Sequence, residues 1–237
     1  MCCCAIRKED LSLAERRQRT SRQDQEILVI GLGRFGGSVA WELSDLGHDV
    51  VGVDADEERV SNLSHCLVRA VVADTTKREV LEQVGAKDFD HVVVGVGDVE
   101  ANILTVAELL AMGVEDLWVK AVTTAHARIL KSLGIEHVVS PEHEMGRRIA
   151  HQVTGKMVDY IELDEGFALV ETRVPSDLAG KTLADAQVRA QFNVTVVCIK
   201  PPGEQFTYVE PATVLERDAL ILVAGDKERV ERFAEMS

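Results

Sequence analysis

Glu26-Ile27-Leu28-Val29-Ile30 leads straight into Gly31-Leu32-Gly33-Arg34-Phe35-Gly36-Gly37-Ser38, and this junction decides the fold. Ile27 to Ile30 is an apolar run without alternation, the pattern of a parallel strand covered by helices on both faces. The glycines then follow the spacing GxGxxG at the point where strand gives way to helix. Gly31 permits the tight turn, Gly33 lacks the Cβ that would block a phosphate, and Gly36 lets helix and strand approach closely. A helix opening there offers free N–H groups and a partial positive charge to an anion. Arg34 and Phe35 lie in the same turn. Arg34 reads either as pointing toward the phosphate position, where it can pair with a phosphate bidentately, or as a solvated first-turn residue; a cation in a first helical turn opposes the helix dipole and so calls for an anion nearby.

Asp54 closes the second predicted strand, at the distance past the glycines where a carboxylate accepts both ribose hydroxyls of an adenosine. Nothing in strand formation calls for an acid there, which favours a ligand, and its charge opposes the 2′-phosphate of NADP. Asp74, with Thr75 beside it, ends the third strand. It is placed either at the adenine edge or as a helix N-cap ahead of Thr76.

From Glu26 onward, strand-like runs near 27–31, 49–54, 68–73, 90–96, 116–121 and 136–139 alternate with helical stretches near 34–47, 56–65, 76–84, 99–112, 124–133 and 143–155. Such alternation specifies an α/β fold with a doubly wound, Rossmann-type parallel sheet. Gly47, Gly85, Gly113 and Gly134 each follow an apolar-periodic stretch and supply left-handed helix ends. After Gly155 the pattern becomes a strand, a turn at Asp164-Glu165-Gly166 and a second strand, then a helix over Thr182–Ala190. Strands at Val194–Ile199 and Ala219–Val223 and a terminal helix over Lys227–Met236 complete a small α+β domain. The expected organisation is a polar, mobile arm over 1–25, a nucleotide-binding domain over 26–155 and a second domain over 156–237.

The 237 residues carry 40 acidic and 26 basic side chains, a net charge of −14 that repels nucleic acid and anionic lipid. No apolar run is long enough to span a bilayer, so a membrane role must come through a partner. Five cysteines, three of them at Cys2, Cys3 and Cys4, show neither disulfide nor zinc spacing and fit a reducing cytoplasm. Cys66 and Cys198 read as small buried residues, and His48, His65, His91 and His137 as solvated side chains at element edges. His143-Glu144-Met145-Gly146-Arg147 begins like a zinc-protease helix but places Arg147 where the second histidine must stand. No P-loop motif is present, and no acid–base set beside a substrate pocket is visible. A nucleotide bound without being consumed points to sensing. The competing readings are an NAD-dependent oxidoreductase with unrecognised catalytic residues and a redox-sensing transcriptional regulator, although the latter needs a basic DNA-reading helix that is missing.

Several motifs in register carry a resemblance to a known family: GLGRFGGS over Gly31–Ser38, Asp54 within VVGVDADEERV, Ala73-Asp74-Thr75, Trp118-Val119-Lys120-Ala121, and Pro141-Glu142-His143-Glu144-Met145-Gly146. Together they resemble the RCK domain (regulator of K+ conductance) of Ktr/Trk potassium-uptake regulators. Leu178-Ala179-Gly180-Lys181-Thr182-Leu183, with Arg189 and Val194–Lys200, is similar to the RCK C-terminal domain. The resemblance implies a cytoplasmic subunit whose dimers assemble into an octameric ring beneath an integral membrane potassium-translocating subunit. A single RCK unit per chain resembles the Ktr type, which responds to ATP and ADP, rather than the tandem Trk type linked to NAD(H). It further implies that Arg34 contacts terminal phosphates, Asp54 the ribose and Lys120 the nucleotide. Glu142 would help hold Mg²⁺ or another divalent cation near the γ-phosphate. Arg189 with Asn193 matches part of a cyclic di-AMP site, although Lys200-Pro201-Pro202-Gly203 departs from the basic turn often found there.

Overall fold

The computed structural model describes residues 25–153, 157–164 and 166–236. The N-terminal arm with Cys2, Cys3 and Cys4, the predicted helix end at 154–155 and Glu165 of the predicted turn lie outside them. The chain divides into two compact units between Pro141 and Glu142. The expected change of pattern at Gly155 differs from this division by one helix.

In the first unit, β1 (Glu26–Ile30), β2 (Asp49–Asp54), β3 (Arg69–Val72), β4 (His91–Val94), β5 (Leu117–Lys120) and β6 (His137–Val139) form a parallel sheet in the order β3-β2-β1-β4-β5-β6. β1 is central, with Ile27 opposite both Val50 and His91. Ile27 to Ile30 and Val92 to Val94 are all buried, as unalternating apolar runs require in a two-faced sheet. Helices α1 (Arg34–Asp45), α2 (Glu57–Leu63), α3 (Arg78–Val84), α4 (Val99–Ala111) and α5 (Thr124–Ser132) connect successive strands. Gly47, Gly85, Gly113 and Gly134 have φ of 97°, 79°, 83° and 89°, the left-handed ends read from the sequence. The strand order reverses between β1 and β4, which opens a crevice at the C-terminal strand ends where ligands of such sheets bind.

The second unit takes in α6 (Pro141–Val153) from Glu142 onward, followed by β7 (Asp159–Asp164) and β8 (Phe167–Arg173). After α7 (Leu183–Ala186) and α8 (Val188–Phe192) come β9 (Thr195–Lys200), β10 (Thr207–Tyr208), β11 (Leu220–Asp226) and α9 (Lys227–Ala234). The sheet order is β10-β9-β11-β8-β7. β11 runs antiparallel to both β8 and β9, so the β8–helix–β9 connection is a βαβ unit split by an inserted strand. The single helix expected over Thr182–Ala190 is broken at Gln187, whose φ is 46°. Ala186 and Val188 are both buried, and on one continuous helix positions two apart diverge by roughly 200°. The left-handed residue between them turns both inward.

Ion pairs attach α6 to this sheet. The Arg148 guanidinium donates from Nε and Nη2 to the two oxygens of Asp159, each at 2.6 Å. This pairing holds the Asp159 carboxyl below the usual range, with a further backbone donation from Tyr160. Arg147 and Lys227 both pair with Glu162, so the residue that breaks the zinc-helix pattern has a structural partner. Burial, reinforced by the Glu162 and Glu231 charges, pushes the Tyr160 hydroxyl up to about 12.

Candidate functional site

The glycine turn is built as three separate solutions. Gly31 has a φ of +87°, and a Cβ there would meet the Val96 amide nitrogen at 2.8 Å. A Cβ on Gly36 would collide with the Gly31 carbonyl oxygen. Gly33 differs from both: its φ is −67°, open to any residue, and the nearest atom to a Cβ there is Nη1 of Arg59 at 3.9 Å. The protein itself does not require the bareness of Gly33, whereas a ligand lying against that backbone would. Gly33 supplies no side-chain cap to α1 and no acid stands in its first turn, so the positive end of this helix is left for another anion.

Gly31, Gly33, Arg34, Phe35, Asp54, Asp74, Thr75 and Lys120 all line one cleft of about 510 Å³, and Gly36 packs directly behind its turn. Lys120, 9% exposed at the end of β5, holds its ammonium 5.8 Å from the Phe35 ring centroid. The cleft sets Arg34, Arg59 and Lys120 against Asp54, Asp74 and Asp98. The two signs balance, and a polyanionic ligand is met by fixed cations at several points.

Asp54 does more than the sequence suggests. Its Oδ2 accepts the Leu32 amide at 2.6 Å and its Oδ1 the Asp56 amide at 2.9 Å. The expectation that no folding role calls for an acid here is therefore corrected: Asp54 stitches the glycine turn to the end of β2. Both oxygens retain lone pairs for a ribose. Asp74 accepts from the side chain and backbone of Thr76 at 2.6 and 3.1 Å, and these donors lower its carboxyl below the ordinary range. It is an acceptor in the turn before α3 rather than the N-cap, which is Lys77. Thr75 shares a buried hydrogen bond of 3.2 Å with Thr105.

Arg59 and Asp98 of the cleft lining escaped the sequence reading, as did Asn102 and His126. The Asn102 amide, fully buried on α4, donates to the Val96 and Lys120 carbonyls at 3.1 and 3.2 Å and ties the ends of β4 and β5 together. A lone asparagine among the apolar positions of Val99–Ala111 was its only signal. His126, 1% exposed, accepts the Val122 amide on Nδ1 at 3.3 Å, and burial lowers its pKa.

The expectations for Cys66, Cys198, His91 and His137 need correction. Cys66 and Cys198 are half-buried rather than buried. His91 pairs with Asp116, and His137 stacks on Trp118 with ring centroids 4.0 Å apart, so neither is simply solvated. Glu142 lies in the first turn of α6 and belongs to the second unit. Among the described residues no group of three or more His, Cys, Asp or Glu side chains converges as a metal site. Arg189 and Asn193 are exposed on α8 and at its end. Asn193 takes a φ of 55° and donates its amide to the Arg189 carbonyl at 3.0 Å.

The TrkA-N domain family matches residues 27–141, the cleft-bearing sheet with all its cleft residues, and the TrkA-C domain family matches residues 169–237. The Ktr system potassium uptake protein C of Bacillus subtilis (strain 168) is 38% identical over 211 residues, covering 88% of this chain and 96% of that protein. The chain belongs to the RCK-domain family, of the Ktr/Trk potassium-uptake type. The Ktr system potassium uptake protein A of Vibrio alginolyticus is 36% identical over 209 residues, covering 87% of this chain and 95% of that protein. The crystal structure of the GsuK RCK domain superposes with a TM-score of 0.50 at 25% identity, over 91% of this RCK chain and 47% of that one. Among the described residues no helix of this RCK protein is long and apolar enough to cross a membrane.

Proposed function

We propose that this chain is a cytoplasmic, adenine-nucleotide-sensing regulatory subunit of a potassium-uptake system. In this reading its dimers assemble into an octameric ring on an integral membrane potassium-translocating subunit. The observation that carries the reading is the single cleft in which the uncapped helix behind Gly33 and the Asp54 carboxylate face one volume, with Arg34 and Lys120 on its walls. The uptake proteins named above, similar along nearly their whole length, support the potassium system as its setting.

Gating demands that a ligand bind two ring shapes with different affinity, since an indifferent ligand shifts nothing however tightly it binds. ATP and ADP differ by the γ-phosphate, so the discriminating contacts belong there. Arg34 is assigned to the terminal phosphates, Asp54 to the ribose, and Asp74 with Thr75 to the adenine side. Lys120 and Phe35 line the same cleft, and Glu142 helps hold Mg²⁺ or a similar cation at the γ-phosphate. The cation would supply charge neutralisation between phosphates and Glu142. NAD(H) is the alternative occupant of the same cleft. The role is that of a sensor rather than a catalyst: of the cleft's ionisable lining, Arg34, Asp54, Asp74 and Lys120 are taken up by binding, which leaves Arg59 and Asp98. In the second unit, Arg189 and Asn193 are assigned to cyclic di-AMP.

Isothermal titration of the purified protein with ATP, ADP and NADH tests the reading. The expected result is binding of both adenine nucleotides, with ATP preference over ADP reduced in Arg34→Ala while the adenosine contribution persists. Unchanged discrimination in that variant would remove Arg34 from the terminal phosphates, and NADH binding without ATP or ADP binding would replace the proposed ligand.

A further inference from the structure

Arg59 lies inside the quoted VVGVDADEERV but is the one cation of the cleft to which no role has been assigned. It stands on α2, whose first turn is held by Asp56 accepting the Glu58 and Arg59 amides. Its side chain turns back over the cleft, with Nε 3.4 Å from Asp56 and Nη1 3.5 Å from Asp54. The same Nη1 is the nearest atom to the volume that a Cβ on Gly33 would fill. Two features of different origin thus converge on that small space, the uncapped end of α1 from below and a guanidinium from above. The space has bare backbone donors, a planar multi-donor cation and no Cβ, and it adjoins the carboxylate assigned to a ribose. The group that this chemistry recognises is the phosphate attached directly to that ribose.

We propose that Arg59 binds the α-phosphate of the nucleotide, clamping it against the Gly33 backbone while Asp54 and Asp56 keep the guanidinium oriented. This rests on the reading of the cleft as an adenine-nucleotide site and adds a division of labour: Arg59 reads the phosphate common to AMP, ADP and ATP, and Arg34 reads the terminal one. Arg59 is half exposed at 53%, so its removal leaves the buried core untouched. Its Asp54 partner is already anchored by the Leu32 amide.

The test is calorimetric titration of the full chain and of Arg59→Ala and Arg59→Lys with adenosine, AMP, ADP and ATP, alongside their thermal unfolding. Loss of a charge-assisted phosphate contact is expected to weaken AMP, ADP and ATP alike by roughly ten- to a hundredfold. Adenosine affinity and the ATP-to-ADP ratio stay unchanged, and Arg59→Lys recovers part of the loss. Equal affinities in wild type and Arg59→Ala would overturn the assignment, leaving Arg59 a surface ion pair. A loss shared by adenosine would also overturn it, because the residue would then act by positioning Asp54. A change confined to ATP would move Arg59 to the γ-phosphate. Failure of the wild-type chain to bind any of the four would remove the nucleotide reading itself and the Arg59 contact with it.

Discussion

The two sheets of this chain solve burial in opposite ways. In the first unit both faces of the sheet are covered, Ile27 to Ile30 are buried without exception, and polar groups gather where the strands end. In the second unit β8 and β11 alternate buried and open positions along their length. A two-faced sheet has no flank free for a ligand and so concentrates its chemistry at the strand ends. A one-faced sheet leaves polar flanks along its strands, and here Asp159 and Glu162 use them to hold α6 through Arg148 and Arg147. The proposed nucleotide site and the fastening of α6 therefore fall to different sheets for a reason rooted in burial.

Substitutions that separate the two regions sharpen this contrast. Ile221→Ala removes a fully buried side chain from β11 and is expected to cost about 2–5 kcal/mol. Amide hydrogen exchange should show the loss of protection in the second unit, with nucleotide affinity unchanged. Gly36→Ala forces a Cβ into the Gly31 carbonyl and should cost about 3 kcal/mol. The same measurement should place that loss in the first unit, together with the loss of nucleotide binding. If either substitution lowered protection equally in both units, the separation would be wrong. Asp54→Ala is expected to weaken every adenine nucleotide and adenosine by roughly tenfold or more, since it deletes a charged acceptor and frees the Leu32 amide. Unaltered calorimetric affinity would remove the ribose assignment.

The smallest effects are those of pH, and they differ between the units. The folded His126 imidazole has a lowered pKa, so only the unfolded chain takes up its proton as pH falls below the ordinary 6.5. Stability of the first unit is then expected to decline in that window. Asp159 has a lowered pKa through Arg148, so its contribution is full above the ordinary 3.8 and is lost as pH falls through the lower folded value. Denaturant unfolding of Arg148→Ala beside wild type should show a stability difference at neutral pH that closes in strong acid. A difference that persisted there would mean that packing, not charge, is the source.

Much of this was legible in the residues because the relevant physics is local. An unalternating apolar run followed by GxGxxG has few ways to fold, and the left-handed glycines after four of the helices mark boundaries directly. The break at Gln187 was not legible, because it answers to burial of Ala186 and Val188 in a tertiary environment that no local pattern encodes. The same limit hid Asn102, whose carbonyl partners lie just past β4 and at the end of β5, and Arg59, whose relation to Gly33 exists only once β2 and α1 are side by side. Asp54 shows the converse. Its position was clear from spacing, but the Leu32 amide it holds belongs to another strand-end turn, and only the fold reveals that the residue serves structure as well.

The central claim is that the outermost charge of a bound adenine nucleotide selects between shapes of the assembled protein. Small-angle X-ray scattering of the purified oligomer at saturating ATP and at saturating ADP tests it most directly. The account predicts two distinguishable profiles in wild type that converge in Arg34→Ala. Superimposable wild-type profiles, with both nucleotides shown to be bound, would contradict it.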